Sequence, residues 1–217
     1  MKQVITLLKK EFILEFRQKA SLGGILVYVV STVFVSALCF NGSINPKVWN
    51  ALFWVILLFA SVNISTKSFL KEGKGQGLFN YVYYSPRTFI LAKIIFNMLL
   101  MLVISLITLF FYSWFVKYVV ADFWLFFITL CLSSTGFAGV LSLMSAIAAK
   151  ANNNFALVSI LSFPVLVPLL ILAIRLSRQA IDGLEWTVSY NFLLILVALN
   201  VLVIMLANLL FPYLWND

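Results

Sequence analysis

The chain contains no histidine. That excludes the usual general base near neutral pH, the two-histidine facial triad, and histidine ligation of haem or zinc. Its two cysteines, Cys39 and Cys131, both fall in apolar runs and form no C-x-x-C. They read as small buried hydrophobes. No Gly-x-x-x-x-Gly-Lys-Ser/Thr occurs, so the chain has no P-loop with which to hold ATP. Gly73, Gly75 and Gly77 imitate part of a glycine-rich loop, but no strand precedes them and no Lys-Ser/Thr follows. Only seven carboxylates are present and charged residues make up 10% of the chain, against about 25% in a soluble domain. All seven lie outside the long apolar runs, so no intramembrane proton relay is expected. No pair of catalytic groups remains, and no internal repeat of the secondary-transporter kind is found.

What the chain has is apolar length. Hydrophobic residues reach 64% and the mean hydropathy is +1.09. Six long charge-free runs stand out: Ala20–Pro46, Val48–Thr66, Ile94–Val116, Phe123–Ala149, Ala151–Ile174 and Trp186–Asn216. Crossing a bilayer takes about 20 apolar residues at 1.5 Å rise each, so all six are long enough. A charge at mid-membrane costs roughly 2.5–3.5 kcal/mol, which explains why ionisable groups are confined to the gaps. The spacing predicts an all-α integral membrane protein built as one domain over residues 1–217. It has a helix over 1–19 and spans near 21–41, 48–68, 88–115, 122–149, 154–175 and 189–212.

The net charge of +8 is not a nucleic-acid signal, because its distribution follows the gaps. Lys2, Lys9, Lys10, Arg17, Lys19, Lys67, Lys71, Lys74, Arg87, Lys93 and Lys150 fall on one side of the expected spans. Lys47, Lys117, Arg175 and Arg178 fall on the other. Eleven cations against four place both termini in the cytoplasm by the positive-inside rule. Trp49, Trp114, Trp124 and Trp186 are expected at outer span ends, Trp215 at an inner end and Trp54 within span two. That is an aromatic belt facing the lipid bilayer.

Local patterns add detail. Val4, Ile5, Leu8, Phe12 and Phe16 share one helical arc, opposite Lys2, Lys9, Lys10 and Arg17. The expectation is an amphipathic interfacial helix with its apolar face toward lipid and no cleaved signal peptide. Asn41–Pro46 reads as a tight outward turn, and Ser85-Pro86 as the start of span three. Pro164 and Pro168, four apart, should kink or interrupt span five. Arg175 to Trp186 is expected as the largest outward loop, with its arginines snorkelling. Asn63, Asn97, Asn200 and Asn208 are expected to hold helices together. The longest inward gap, 67–93, begins basic and glycine-rich and turns aromatic over Leu78–Tyr84. Such an exposed patch rests on lipid or on another protein. A membrane domain with no intramembrane charge and no nucleotide site has to be driven from outside, and this gap is its most engine-like contact.

The N-terminal Leu7-Leu8-Lys9-Lys10-Glu11-Phe12 with Glu15-Phe16-Arg17 carries a resemblance to a known family. Tyr84-Ser85-Pro86-Arg87 leading into Ile90-Leu91-Ala92-Lys93, and Pro164-Val165-Leu166-Val167-Pro168-Leu169-Leu170-Ile171, carry the rest. In their order and spacing the chain resembles the CcmB family, the haem exporter permeases of cytochrome c maturation, along essentially its whole length. The resemblance implies an ABC-2-type exporter-like permease of the bacterial inner membrane, not itself an enzyme, working in two copies. The implied partners are a cytoplasmic ABC ATPase, a haem-handling membrane subunit, a small single-span subunit and a periplasmic haem chaperone. ATP is reached only through the partner. No cofactor-binding motif is recognised, and haem enters as a handled species; the lack of histidine favours a mechanical role in releasing the loaded chaperone.

Phe69, Lys71, Glu72, Phe79, Tyr81, Tyr84 and Arg87 are the expected ATPase-coupling residues, and Pro164 and Pro168 mark the kinked span. The family's inward loop carries a second acidic group that Ser68–Phe79 lacks, leaving Glu72 and Lys71 as the charged contacts. A generic export permease for another substrate and a non-transporting assembly scaffold remain the alternatives.

Overall fold

Apolar runs this long can satisfy their backbone only internally, and the chain does so as helices. The computed structural model describes residues 2–17, 19–40, 44–70, 85–116, 119–150 and 155–216. Within them lie α1 (Lys2–Arg17), α2 (Lys19–Phe40), α3 (Pro46–Leu70), α4 (Pro86–Phe115), α5 (Phe123–Lys150), α6 (Phe155–Asp182) and α7 (Trp186–Asn216). The six helices α2–α7 are each long and apolar enough to cross a membrane. The protein is an all-α, multi-pass membrane protein.

α5 is the axis of the bundle. It packs against α3, α4, α6 and α7, most extensively against α6, and is the most buried of the six spans. Its sequence explains this: Ser133, Ser134, Gly136, Ala138, Gly139, Ser142, Ser145 and Ala146 are small and buried, which lets neighbouring backbones approach closely. A Cβ added at Gly136 would stand 3.0 Å from Asn200 Oδ1 and 3.3 Å from a Leu169 methyl. At Gly139 it would meet Val203 Cγ1 at 3.3 Å. Hydrogen bonds follow the same contacts. Asn200 Nδ2 donates to Leu132 O at 3.2 Å, and Asn97 Nδ2 to Ser142 Oγ at 2.7 Å. Asn63 and Asn208 donate instead to Phe59 O and Ile204 O of their own helices.

The end away from α1 is filled by rings. Trp49, Phe53, Trp54, Tyr112, Phe126 and Phe137 are all fully buried. Trp49 stacks on Phe53 at 5.7 Å and meets Tyr112 edge-on at 4.9 Å. Tyr112 Oη donates to Trp49 O at 3.0 Å, and Trp54 Nε1 to Ser177 Oγ at 2.8 Å. Ser177 Oγ donates in turn to Asn50 Oδ1, also at 2.8 Å. Trp49 is therefore a core residue, not part of the belt, because the first turn of α3 points this ring inward against Tyr112 of α4 and Phe126 of α5. Trp114, Trp124 and Trp186 are exposed, as belt residues are.

One more expectation is corrected here. α6 runs on through Arg175 and Arg178 to Asp182, so the expected outward loop shrinks to Gly183–Glu185. Gly183, at φ 67°, ends the helix, and Leu184 N donates back to Gln179 O at 3.0 Å, the Schellman arrangement. Helix continuation is stable because Arg175 lies over the Phe192 ring, 4.4 Å from its centroid. Arg178 pairs with Asp182 one turn on, at 3.6 Å. α6 is continuous through its prolines, one helix from Phe155 to Asp182. Pro164 and Pro168, four apart, share one face, and both are exposed, so the hydrogen bonds they remove all lie on the outer side.

Gly136→Ala should cost about 1–3 kcal/mol, because the new methyl meets an Asn200 side chain already held by three hydrogen bonds. Gly139→Ala, facing a valine methyl, should cost less. Thermal unfolding in detergent checks the order.

Candidate functional site

The site is built around the start of α4, which follows directly on the 71–84 segment. Ser85 is its N-cap in extended conformation, its side chain accepting from Thr88 N at 3.4 Å. Its Oγ also lies 2.7 Å from Thr88 Oγ1. Pro86 occupies the first helical position, where its missing N–H costs nothing. Arg87, next along, is exposed. From there the helix turns into the bundle. Phe89, Ile90 and Ile94 form a buried cluster with Leu143 and Ala146 of α5 and Ala207 and Phe211 of α7. The Phe89 and Phe211 rings stack with centroids 6.0 Å apart.

The opposite flank of α4 is held by charge. Lys93 is 2% exposed, and its Nζ lies 3.0 Å from Glu11 Oε2 of α1. Glu15, one turn further along α1, is 9% exposed. Phe12 and Phe96 complete the contact edge to face, centroids 5.1 Å apart. Docking uses a side of α1 other than the apolar arc expected to face lipid. Its docked stripe is Leu7, Glu11 and Glu15, whereas Ile5, Phe12 and Ile13 of the apolar side are exposed. The physical reason is Lys93: a cation seven residues inside a helix that starts at Pro86 cannot reach water easily, and only a carboxylate on the facing helix neutralises it.

Of the expected coupling residues, Arg87 stands exposed on the first turn of α4, and Phe69 falls in the last turn of α3, a helix that packs against α4. Lys71, Glu72, Phe79, Tyr81 and Tyr84 lie outside the described residues. Pro164 and Pro168 sit on α6, away from this cluster. Sequence reasoning does not join Glu11 to Lys93; the available signal is that Leu7, Glu11 and Glu15 repeat every four residues on one stripe. Among the described residues, no group of three or more His, Cys, Asp or Glu side chains could hold a metal ion.

A profile of the CcmB protein family matches residues 2–213. The chain belongs to the CcmB family. No curated protein matches it. CcmB proteins are membrane permease components of the haem exporter for cytochrome c maturation, within an ABC transporter complex that includes an ATPase. In this CcmB chain, the helix that leaves the 71–84 segment is thus braced on one side by α5 and α7 and on the other by α1.

Lys93→Ala leaves Glu11 buried without this partner and should destabilise the CcmB fold by about 3–5 kcal/mol. Replacing both, Lys93→Met with Glu11→Leu, should recover most of that loss. Arg87→Ala, at an exposed position, should stay within about 0.5 kcal/mol of the parent. Chemical denaturation of the detergent-solubilised protein distinguishes the three.

Proposed function

We propose that the α1 end of this CcmB chain is the cytoplasmic face on which a separate ABC ATPase acts. The 71–84 segment and its flanks form the contact: Phe69, Lys71, Glu72, Phe79, Tyr81, Tyr84 and Arg87. ATP hydrolysis in the partner moves this segment, and α4 carries the motion into the bundle. The observation that supports the reading is the buried Lys93–Glu11 pair. It makes α1 and the first two turns of α4 move together, as a helix driven from its end requires. The excess of cations on this side supports the cytoplasmic placement of both termini in a bacterial inner membrane.

In this reading the subunit works in two copies beside a haem-handling membrane subunit and a small single-span subunit. Its motion drives release of the haem-loaded periplasmic chaperone, and haem is cargo of the complex. The chain's own part is mechanical: it offers no histidine to ligate haem iron.

Glu72→Lys and Arg87→Glu should each lower ATPase co-purification and stimulated ATP hydrolysis about 10-fold, an interaction loss of about 1.4 kcal/mol. Membrane insertion should be unchanged. Full docking and stimulation in both variants would remove the proposed contact. Deleting the gene should abolish holo-c-type cytochromes and spare b-type haem proteins; normal c-type cytochromes would leave a generic export permease or a scaffold.

A further inference from the structure

One face of α6 carries three polar features that hydrocarbon cannot satisfy. Ile160, Pro164, Pro168, Ile171, Arg175 and Arg178 fall within an arc of about 80° at 3.6 residues per turn, and all six are exposed. A proline offers no amide hydrogen to the carbonyl four residues earlier. Pro164 and Pro168 therefore take the usual helical donors away from Ile160 O and Pro164 O, on the side turned from the bundle. Such carbonyls are tolerated at membrane depth where protein or water supplies donors.

Arg175 is the third feature. It stands seven residues before the end of α6 at Asp182, about 10 Å along the axis. Its guanidinium lies over the Phe192 ring, 4.4 Å from the centroid. Phe192 is itself six residues into α7, about 9 Å from its start. The charge is thus held at depth instead of rising to the headgroups. Arg178 has Asp182 as its partner, whereas among the described residues no carboxylate pairs with Arg175.

Charge complementarity selects the occupant. Two copies inserted with one topology are related by an axis along the membrane normal, so a shared α6 face would set Arg175 against Arg175 at equal depth. Nor does a second copy supply the counter-charge. Asp122, Asp182 and Glu185, the carboxylates of that end, stand at or beyond the helix ends. Acyl chains bring neither a donor nor an anion to these levels.

We propose that this face of α6 is the seat of a membrane-spanning helix from a different chain. That helix places a carboxylate at Arg175 and, about 17 Å further along, a side-chain O–H or N–H donor at the carbonyls freed by Pro164 and Pro168. The interface rests on this chain being one subunit of a membrane complex, and it is separate from the ATPase contact at the other end.

The test uses the assembled complex in its native membrane, with a benzoylphenylalanine photocrosslinker in place of Ile171. Irradiation should give one discrete adduct with a different membrane protein, and the joined peptide should carry an acidic residue within about one helical turn of the attachment point. Arg175→Glu should lower the adduct about 10-fold, and reversing the partner's acid to lysine should restore it. Pro164→Ala with Pro168→Ala returns both internal donors. It should raise the thermal stability of the detergent-solubilised subunit yet lower the adduct about 5-fold. Adducts with lipid alone or with a second copy, or an adduct undiminished in both variants, overturn the interface. ATPase co-purification from the same membranes separates the two failures. Retained ATPase with lipid-only adducts removes this interface alone; loss of the ATPase from the parent removes the complex as well.

Discussion

The close approach of neighbouring helices to α5 is the constraint from which the rest of the architecture follows. Between apolar helices in lipid there is no hydrophobic driving force, so dispersion contacts and interhelical hydrogen bonds have to hold them. Both need short distances. Gly136 and Gly139 bring α7 near enough that Asn200 can reach the Leu132 carbonyl, and buried serines let α4 approach until Asn97 meets Ser142. A single added methyl at Gly136 would press on the same asparagine that makes the bond. Packing and polar contact are thus made by the same residues here, while Asn97 Oδ1, Ser133 Oγ and Ser145 Oγ stay buried without a hydrogen-bond partner among the described residues.

The two ends of the bundle are stabilised by different chemistry. Away from α1, fully buried rings interlock and their few polar atoms are matched, Tyr112 to a carbonyl and Trp54 to Ser177. At the α1 end, a small apolar cluster secures α4 to α5 and α7, while a buried ion pair secures it to α1. Ring packing is lost gradually as groups separate. An ion pair in a dry setting behaves otherwise: while paired it is tolerated, and separated it is costly, which favours two helices staying in register over intermediate positions.

Much of this was legible in the sequence, for reasons that can be named. Charge-free runs mark spans because hydrocarbon excludes charge, and Ser85-Pro86 marks a helix start because a cap and a missing donor suit the first turn. The seat of α1 was not legible. Its amphipathic pattern gave Ile5 and Phe12 to the lipid side but left the docked side unread, because the pattern is local and the deciding group, Lys93, lies 82 residues from its partner Glu11. Trp49 failed in the same way: proximity to a span end suggests the belt, and only tertiary packing puts the ring inside. Arg175 and Arg178 suggested a loop because charge usually signals water, but a ring on α7 and Asp182 receive them while the helix continues. For the coupling residues from Lys71 to Tyr84, the basic and aromatic composition of the segment is the whole of the support.

The far end carries a further implication. Asp122 gathers three helices at one point: its amide donates to Ala180 O of α6 at 2.9 Å, its carboxylate accepts from Leu125 N at 3.1 Å at the head of α5, and from Trp186 Nε1 of α7 at 2.7 Å. Together with the three-residue Gly183 turn, this clasp would serve as a fulcrum for any tilt of α6. α6 is 28 residues long, about 42 Å, so a swing of about 5° on that pivot carries its other end through about 4 Å. Such leverage converts a slight change in angle at the clasp into a side-chain-sized displacement at the opposite membrane face.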